Sequence, residues 1–407
     1  MKIAVLGAGI GGLAVSTLLA RDGHGVDVFD RFECPQPVGS GLMLQETGLA
    51  VLDAMGLRQA AATRGAVIER LVGKSVPSGR TVLNVRFGAL RPDLHAVAIQ
   101  RSALFDLLYA TALGAGADFT GGVAIASAEP GAGSFTTLGG RIHRGFDLVI
   151  NALGAQSPLS PEPRSELPFG ALWATVPWPL HGGFDPSALE QRYRAARQMT
   201  GLMPSGRPSD GAGATATYFW SIAGDGHARW KAGDIARWRD DAVALWPESE
   251  DVVSALDHET LTFARYRHRT VGKPVQQRLV HLGDSWHATS PQLGQGANMA
   301  LLDAYGLAVA LRDGRDLGRA LGRYASLRQS HVRLYQAMSY LFTPVYQSSG
   351  HVLPFLRDWV AAPLMGVPPI PLVLAALVSG GLLSPLARLG LGPKPRGQGA
   401  VQSADGL

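Results

Sequence analysis

A single cysteine, Cys34, in 407 residues leaves no partner for an internal disulfide. The chain therefore fits a reducing compartment, and the expected location is cytoplasmic. Charge is also scarce, since only 17% of residues are Asp, Glu, Lys or Arg and the formal net charge is +5. The basic residues are spread along the whole length with no run of five, so no nucleic-acid partner is expected. No metal site is expected either. Met1 runs straight into a strand-like segment, so no secretory leader is expected. A long uninterrupted apolar run is missing as well. From Trp359 to Ala387 no residue is charged, yet Pro363, Pro368, Pro369, Pro371 and Pro385 break the stretch. Its longest proline-free piece, Leu372 to Ser384, contains Gly380-Gly381 and is too short to cross a bilayer. Short apolar helices packed on the body are expected here, with peripheral membrane contact as the second reading. Residues 392–407 are rich in glycine and polar side chains and read as a disordered tail.

What is present begins at the first residues. Lys2 to Leu6 is a short apolar run of strand character that ends in Gly7-Ala8-Gly9-Ile10-Gly11-Gly12, which spells G-x-G-x-x-G. A dense apolar stretch from Leu13 to Ala20 follows as a helix, and Val26 to Phe29 as a second strand closed by Asp30. This is the βαβ unit of a dinucleotide site. Gly7 makes the tight turn, Gly9 lets backbone approach a pyrophosphate, and Gly12 allows close contact between helix and strand. The helix N-terminus faces the phosphates with unpaired N–H groups, and Asp30 stands where a carboxylate would bind a ribose hydroxyl. The motif alone leaves NAD and FAD open.

The rest of the chain reads as α/β. Leu42 to Leu57 has helical character interrupted near Glu46-Thr47-Gly48, and Leu57 to Arg64 follows as a helix. Val67 to Val72 and Thr81 to Phe87 form a hairpin, and Ser102 is expected to cap a helix over Ala103 to Leu113 with Arg101 at its entrance. Phe146 to Ile150 is a strand returning to the first sheet, and the prolines and serines of residues 157–168 mark a linker. Beyond it, Ala171 to Val176, Ala195 to Met203, Ala214 to Ile222 and Phe263 to Arg269 are strands of a second sheet, with a helix over Ala236 to Trp246. Tryptophan and tyrosine concentrate in this part, which favours a flat, apolar ligand over a sugar or a phosphate. The expected division is a dinucleotide-binding domain at 1–160 with a hairpin insert near 67–99, a substrate domain at 161–270, the rest of the first domain at 271–340, and C-terminal apolar helices at 341–391.

A second chemical stretch starts with the strand Arg278 to Leu282, which ends in Gly283-Asp284. The loop Ser285 to Asn298 then feeds a helix from Met299. Asp284 can hold a polyol hydroxyl, while Gly294 and Gly296 let backbone N–H groups and the positive helix end face an anion.

Together these blocks resemble the FAD-dependent monooxygenases of the para-hydroxybenzoate hydroxylase type. The matching residues are the glycine motif with Gly11 and with Asp30-Arg31, then Gln100-Arg101-Ser102, then Gly283-Asp284 through Pro291 to Gly294-Gln295-Gly296-Ala297-Asn298 and Asp303-Ala304. The resemblance implies a Rossmann-like FAD-binding domain with a mixed parallel sheet, interleaved with a β-sheet substrate domain. It also implies that Arg101 contacts FAD, that Asp284 meets the ribityl chain, and that Pro291 with Gly294, Gln295, Gly296, Ala297 and Asn298 lines the isoalloxazine ring. The family's middle Asp-Gly motif is altered here: Asn151-Ala152-Leu153-Gly154 has Leu153 in the aspartate position. That departure bears on reduction by NAD(P)H, the expected electron donor.

The expected reaction is hydroxylation or epoxidation of an apolar, aromatic or polyketide-like small molecule through a flavin hydroperoxide, with O2 as co-substrate. The cofactor carries the hard chemistry, and no catalytic base is assigned. His281 and His287 read as structural. The alternative is an FAD-dependent reductase or oxidase acting on a prenyl-like substrate without oxygen insertion. A halogenase is disfavoured by the lack of a Trp-x-Trp-x-Ile-Pro string.

Overall fold

Four sheets organise the computed structural model, which describes residues 1–33, 40–76, 78–160, 165–314 and 316–392. Cys34, part of the expected linker and nearly all of the expected tail lie outside the described residues.

Strand Lys2–Leu6 lies at the heart of a six-stranded sheet. It pairs in parallel with Gly25–Phe29 on one side and Leu148–Asn151 on the other, and Leu148–Asn151 pairs in parallel with Leu279–His281. Runs such as Ile3-Ala4-Val5-Leu6 are apolar at every position because both faces of this sheet are covered. Helix Ile10–Arg21 packs against helix Gly296–Arg312, so the two glycine-rich segments end on the same edge of the sheet.

A seven-stranded sheet forms the second layer. Its centre is Ser165–Pro177, Thr215–Ala223 and Gln198–Gly206, paired antiparallel, with Thr262–His268 at one edge. Leu172, Ala174, Tyr218 and Trp220 point to one face and pack with Trp238, Leu245 and Trp246 of the covering helical segment, so much of the tryptophan cluster is core. The opposite face looks back at the small sheet formed by Gly41–Leu44, Ala96–Gln100 and Ala66–Ile68.

Several local expectations change. Residues 42–44 are a strand rather than helix, and the helix starts at Glu46, where the interruption was read. The cap of helix Arg101–Gly114 is Gln100, and Ser102 makes no capping bond. The hairpin Arg70–Ser75 and Thr81–Arg86, assigned above to the first domain, instead joins the seven-stranded sheet through parallel pairing with Ala188–Arg194, a strand not read from sequence. The flavin-type helix begins at Gly296, three residues before the expected start.

Candidate active site

The four motif glycines have different physical reasons to be glycine. Gly7 has a φ of +105°, and a Cβ there would lie 2.5 Å from the Ala152 carbonyl oxygen. A Cβ at Gly12 would sit 1.9 Å from the Gly7 carbonyl oxygen, so helix and strand touch at that point. Gly11 lets the first helix approach Leu282 and Ala300. Gly9 differs from all three: it is exposed and a Cβ there would meet nothing within 4 Å. The backbone at Gly9 therefore borders open space rather than protein.

Asp30 turns toward this loop. Its Oδ2 accepts the Ala8 N–H at 2.7 Å and its Oδ1 accepts the Phe32 N–H at 3.0 Å. Both oxygens keep a free lone pair. Arg31 stays exposed with its guanidinium over the Phe32 ring.

Arg101 and Asp284 face one another from the start of one helix and the end of one strand. Each is open to solvent, although protein mass surrounds both, so they stand on the wall of a deep cleft. Burial lowers the Arg101 pKa, against the pull of Asp284. Burial likewise raises the Asp284 carboxyl, opposed by His287 and Arg101. The Asp284 Oδ1 is 3.9 Å from the Cβ position of Gly296, which puts it beside the second helix N-terminus. Neither Ile10–Arg21 nor Gly296–Arg312 has a side-chain cap or an acid in its first turn. Their leading N–H groups are thus left for a ligand.

The loop before the second helix is built differently from its sequence reading. Gly294 adopts a left-handed φ of +64°. Asn298 and Gln295, expected to line a ring, spend their side chains on protein. The Asn298 Oδ1 accepts the Gln45 N–H at 2.9 Å, and its Nδ2 donates to the Met43 carbonyl at 3.0 Å and to the Gln45 Oε1. Gln295 Nε2 donates to the Val378 carbonyl at 2.7 Å. Gly294, Gly296 and Ala297 retain open backbone, and Pro291 is exposed.

Sequence reasoning missed the network below this loop. Asp303, fully buried, accepts the Gly283 N–H at 2.9 Å, meets His287 Nε2 at 2.5 Å, and accepts Arg328 Nε at 2.8 Å. Burial would raise the Asp303 pKa, but His287 and Arg328 outweigh it and hold the carboxyl below its ordinary value. Arg328 reaches the His331 Nδ1 at 3.2 Å, and His331 Nε2 contacts the Gly380 carbonyl at 3.0 Å. A carbonyl can only accept, so His331 carries its proton on Nε2 and is neutral. Burial, aided by Arg328, lowers its pKa to about 3. The folded state thus resists a proton that the unfolded chain binds near pH 6.5. Stability is expected to fall by roughly 1 kcal/mol per pH unit as pH drops from 6.5 toward 3 on account of this one group. Urea titrations of His331→Gln across that window should show a flatter pH dependence than the parent; an unchanged slope refutes this account.

The turn after the middle strand is closed by Asn151. Its Oδ1 accepts the Leu153 N–H at 3.2 Å and the Ser157 hydroxyl at 3.0 Å, and its Nδ2 donates to His281 Nδ1 at 2.9 Å. Leu153 is half-buried beside the Leu6 and Phe29 cluster, so the turn holds without an aspartate there.

Across the cleft, the seven-stranded sheet presents Trp173, Thr175, Met203, Thr217 and Phe219 on one face, as their cross-strand registers require. Thr217 Oγ1 accepts the Gly41 N–H at 3.0 Å, and Thr175 donates to the Gln100 Oε1 at 3.2 Å. Trp173 donates to Tyr266 Oη at 3.2 Å. Since Gln100 directly precedes Arg101, this face and the two helix N-termini border one another.

The geometry fits a dinucleotide whose phosphates meet one uncapped helix end and whose ring meets the other. An FAD binding domain family matches residues 186–332. The chain is 28% identical over 347 residues to a 3-amino-4-hydroxybenzoate 2-monooxygenase of Streptomyces cremeus, covering 81% of this chain and 83% of that protein. It is 26% identical over 370 residues to a kynurenine 3-monooxygenase of Salinispora arenicola, covering 83% and 78% of the two chains. The fold is shared with Klebsiella pneumoniae HpxO complexed with FAD and uric acid, at a TM-score of 0.76 and 21% identity over 94% of this chain and 98% of that one. The chain is thus similar over about four fifths of its length to aromatic-ring monooxygenases, and it shares its fold with an FAD-bound hydroxylase.

Proposed function

We propose that this monooxygenase hydroxylates or epoxidises a flat, uncharged aromatic small molecule held between the isoalloxazine ring and the seven-stranded sheet. The observation that carries this reading is the chemistry of the sheet face opposite Gly41 and Gln100. The half-buried Trp173 and Tyr266 supply aromatic surface there and the exposed Thr175 a hydroxyl, while Met203, Phe219 and Thr217 of the same face are buried beneath them. None of these side chains is itself a cation that could pair with a substrate carboxylate, and a buried unpaired charge is costly.

FAD, once reduced, supplies the activation of oxygen and its transfer. The protein's part is placement and exclusion of water. Gly9 and the first N–H groups of Ile10–Arg21 hold the pyrophosphate, and the free lone pairs of Asp30 meet the ribose. Arg101 and Asp284 bind the ribityl and phosphate portion. The backbone of Gly294, Gly296 and Ala297, with the positive end of Gly296–Arg312, faces the ring and favours negative charge on it. Gln295 and Asn298 act indirectly, by fixing the loop's shape. Leu153 leaves the middle turn uncharged, and NAD(P)H remains the proposed donor.

The monooxygenase names of the curated relatives weigh against reduction without oxygen insertion. The test is to supply the FAD-loaded enzyme with NADH or NADPH under isotopically labelled oxygen, with matched neutral and carboxylated aromatic compounds. The expected product gains one labelled oxygen atom, and the neutral compounds show kcat/KM roughly tenfold or more above their carboxylated counterparts. A gain of two hydrogens, or a preference for carboxylates, refutes the reading.

A further inference from the structure

The helical stretch formed by Val352–Leu356, Arg357–Ala361 and Ala362–Leu364 is turned inside out. Its two charged residues are buried and its apolar residues face solvent. Arg357 donates to Asp358 at 2.7 Å and to the carbonyls of Val345 and Ala195, both at 3.1 Å, and its guanidinium lies over the Tyr193 ring. Asp358 accepts the Ser75 hydroxyl at 2.6 Å. These bonds fix the rotation of the stretch. The other side then exposes Val352 at 71%, Phe355 at 58%, Trp359 at 51% and Val360 at 53%. Leu372 and Val373, on the next helix, are exposed too. The sequence led us to expect apolar helices packed on the body; helix Ile370–Val378 does bury Ala375, Leu377 and Val378, but the 352–364 stretch does the opposite.

A buried ion pair seldom adds stability over an apolar replacement. Here it has a geometric consequence, which is to hold a contiguous apolar surface outward. Surfaces of this kind mark contact with another apolar medium. The charge around the face selects among media. Within the stretch the one acid, Asp358, is buried, and the charged residues shown against its exposed side are arginines. Arg80 stacks over Trp359 at 4.0 Å, and Arg197 contacts His351 at the start of the stretch. Tryptophan and phenylalanine beside arginine, with no exposed acid on the stretch, match the interface of an anionic bilayer.

We infer that the 352–373 face docks on an anionic lipid surface, lying in the interface rather than spanning it. The end of the helix just before the stretch adjoins the sheet that carries the proposed substrate face: Tyr346 donates to the Val82 carbonyl at 3.2 Å, and Gln347 donates to the Gly170 carbonyl at 3.1 Å. Docking there would set the substrate side of the molecule near the membrane. The docking itself does not depend on the reaction proposed above.

The experiment pellets the FAD-loaded protein with sucrose-filled vesicles of phosphatidylcholine and phosphatidylglycerol, two to one, at low and high salt. The parent is expected to pellet with the vesicles and to do so less at high salt. The double variant F355S/W359S should bind roughly tenfold or more weakly, with unchanged flavin content and thermal midpoint. Quenching of tryptophan fluorescence by brominated lipid in the unmutated protein is expected as well, and needs no variant. A parent that stays in the supernatant without quenching overturns the inference. So does a variant that binds as the parent does, or a self-association that the variant loses while vesicles are ignored.

Discussion

Gly9→Val is expected to give a folded protein that purifies without colour, and Gly12→Val a protein whose thermal midpoint is markedly lowered. The two positions lie in one motif and differ in what surrounds them. At Gly9 the backbone has φ −75° and ψ −178°, an extended conformation open to any residue, and a Cβ meets nothing within 4 Å. A valine there costs the folded chain little. It fills the space through which a pyrophosphate must approach the first N–H groups of the helix, so FAD affinity should fall on the order of 100-fold or more. At Gly12 the Cβ would lie 1.9 Å from the Gly7 carbonyl oxygen and 3.3 Å from the Ala152 Cβ. Backbone has no rotamer with which to yield, so strand and helix must part, at about 3 kcal/mol or more of an ordinary stability near 5–15 kcal/mol. Flavin absorbance per protein and the thermal midpoint of the apo forms separate the cases. A yellow Gly9→Val protein at parental stoichiometry would refute the assignment of that space to the cofactor.

The strand, turn and helix around the first glycines and Asp30 were legible because their reasons are local. A strand that stops at glycine, a helix that starts there and an acid at the next strand end are written in consecutive residues. The parallel sheet followed from its continuous apolar runs, and Leu148–Asn151 joined it as expected. Residues 42–44 were misread because a short apolar run carries no period that separates strand from helix, and the pairing with Ala96–Gln100 decides it. Gln295 and Asn298 have side chains that bond protein, which the sequence reading did not anticipate. Their partners, Val378 and Met43 to Gln45, are distant in sequence, so nothing nearby revealed that their amides were already engaged. The outward face of 352–364 was hidden for a related reason. Arg357 and Asp358 look like surface charges until Ser75, Ala195 and Val345 close around them.

Arg328→Leu should cost more than any surface change and unfold much of the protein at moderate temperature. The Arg328 side chain is fully buried and is the only guanidinium bound to the buried Asp303 among the described residues. Leucine removes the cation and leaves the carboxylate, whose other partners are the Gly283 N–H and His287. Breaking one side of such a pair costs about 3–5 kcal/mol, because the remaining charge stays out of water. The damage is directed. Asp303 holds the Gly283 turn, and Gly283 precedes Asp284, so the loss passes to the carboxylate proposed to bind FAD. His331 also loses the donor to its Nδ1. Adding Asp303→Asn to Arg328→Leu removes the stranded charge while keeping an oxygen to accept the Gly283 N–H. The double variant is expected to recover about 1–2 kcal/mol relative to Arg328→Leu alone, so the coupling is that recovery plus the cost of Asp303→Asn by itself. Urea unfolding of the four proteins in the cycle measures it. A double variant that is less stable than Arg328→Leu by the full cost of Asp303→Asn would mean that the two side chains act independently, and that the ion pair does not organise the loop above it.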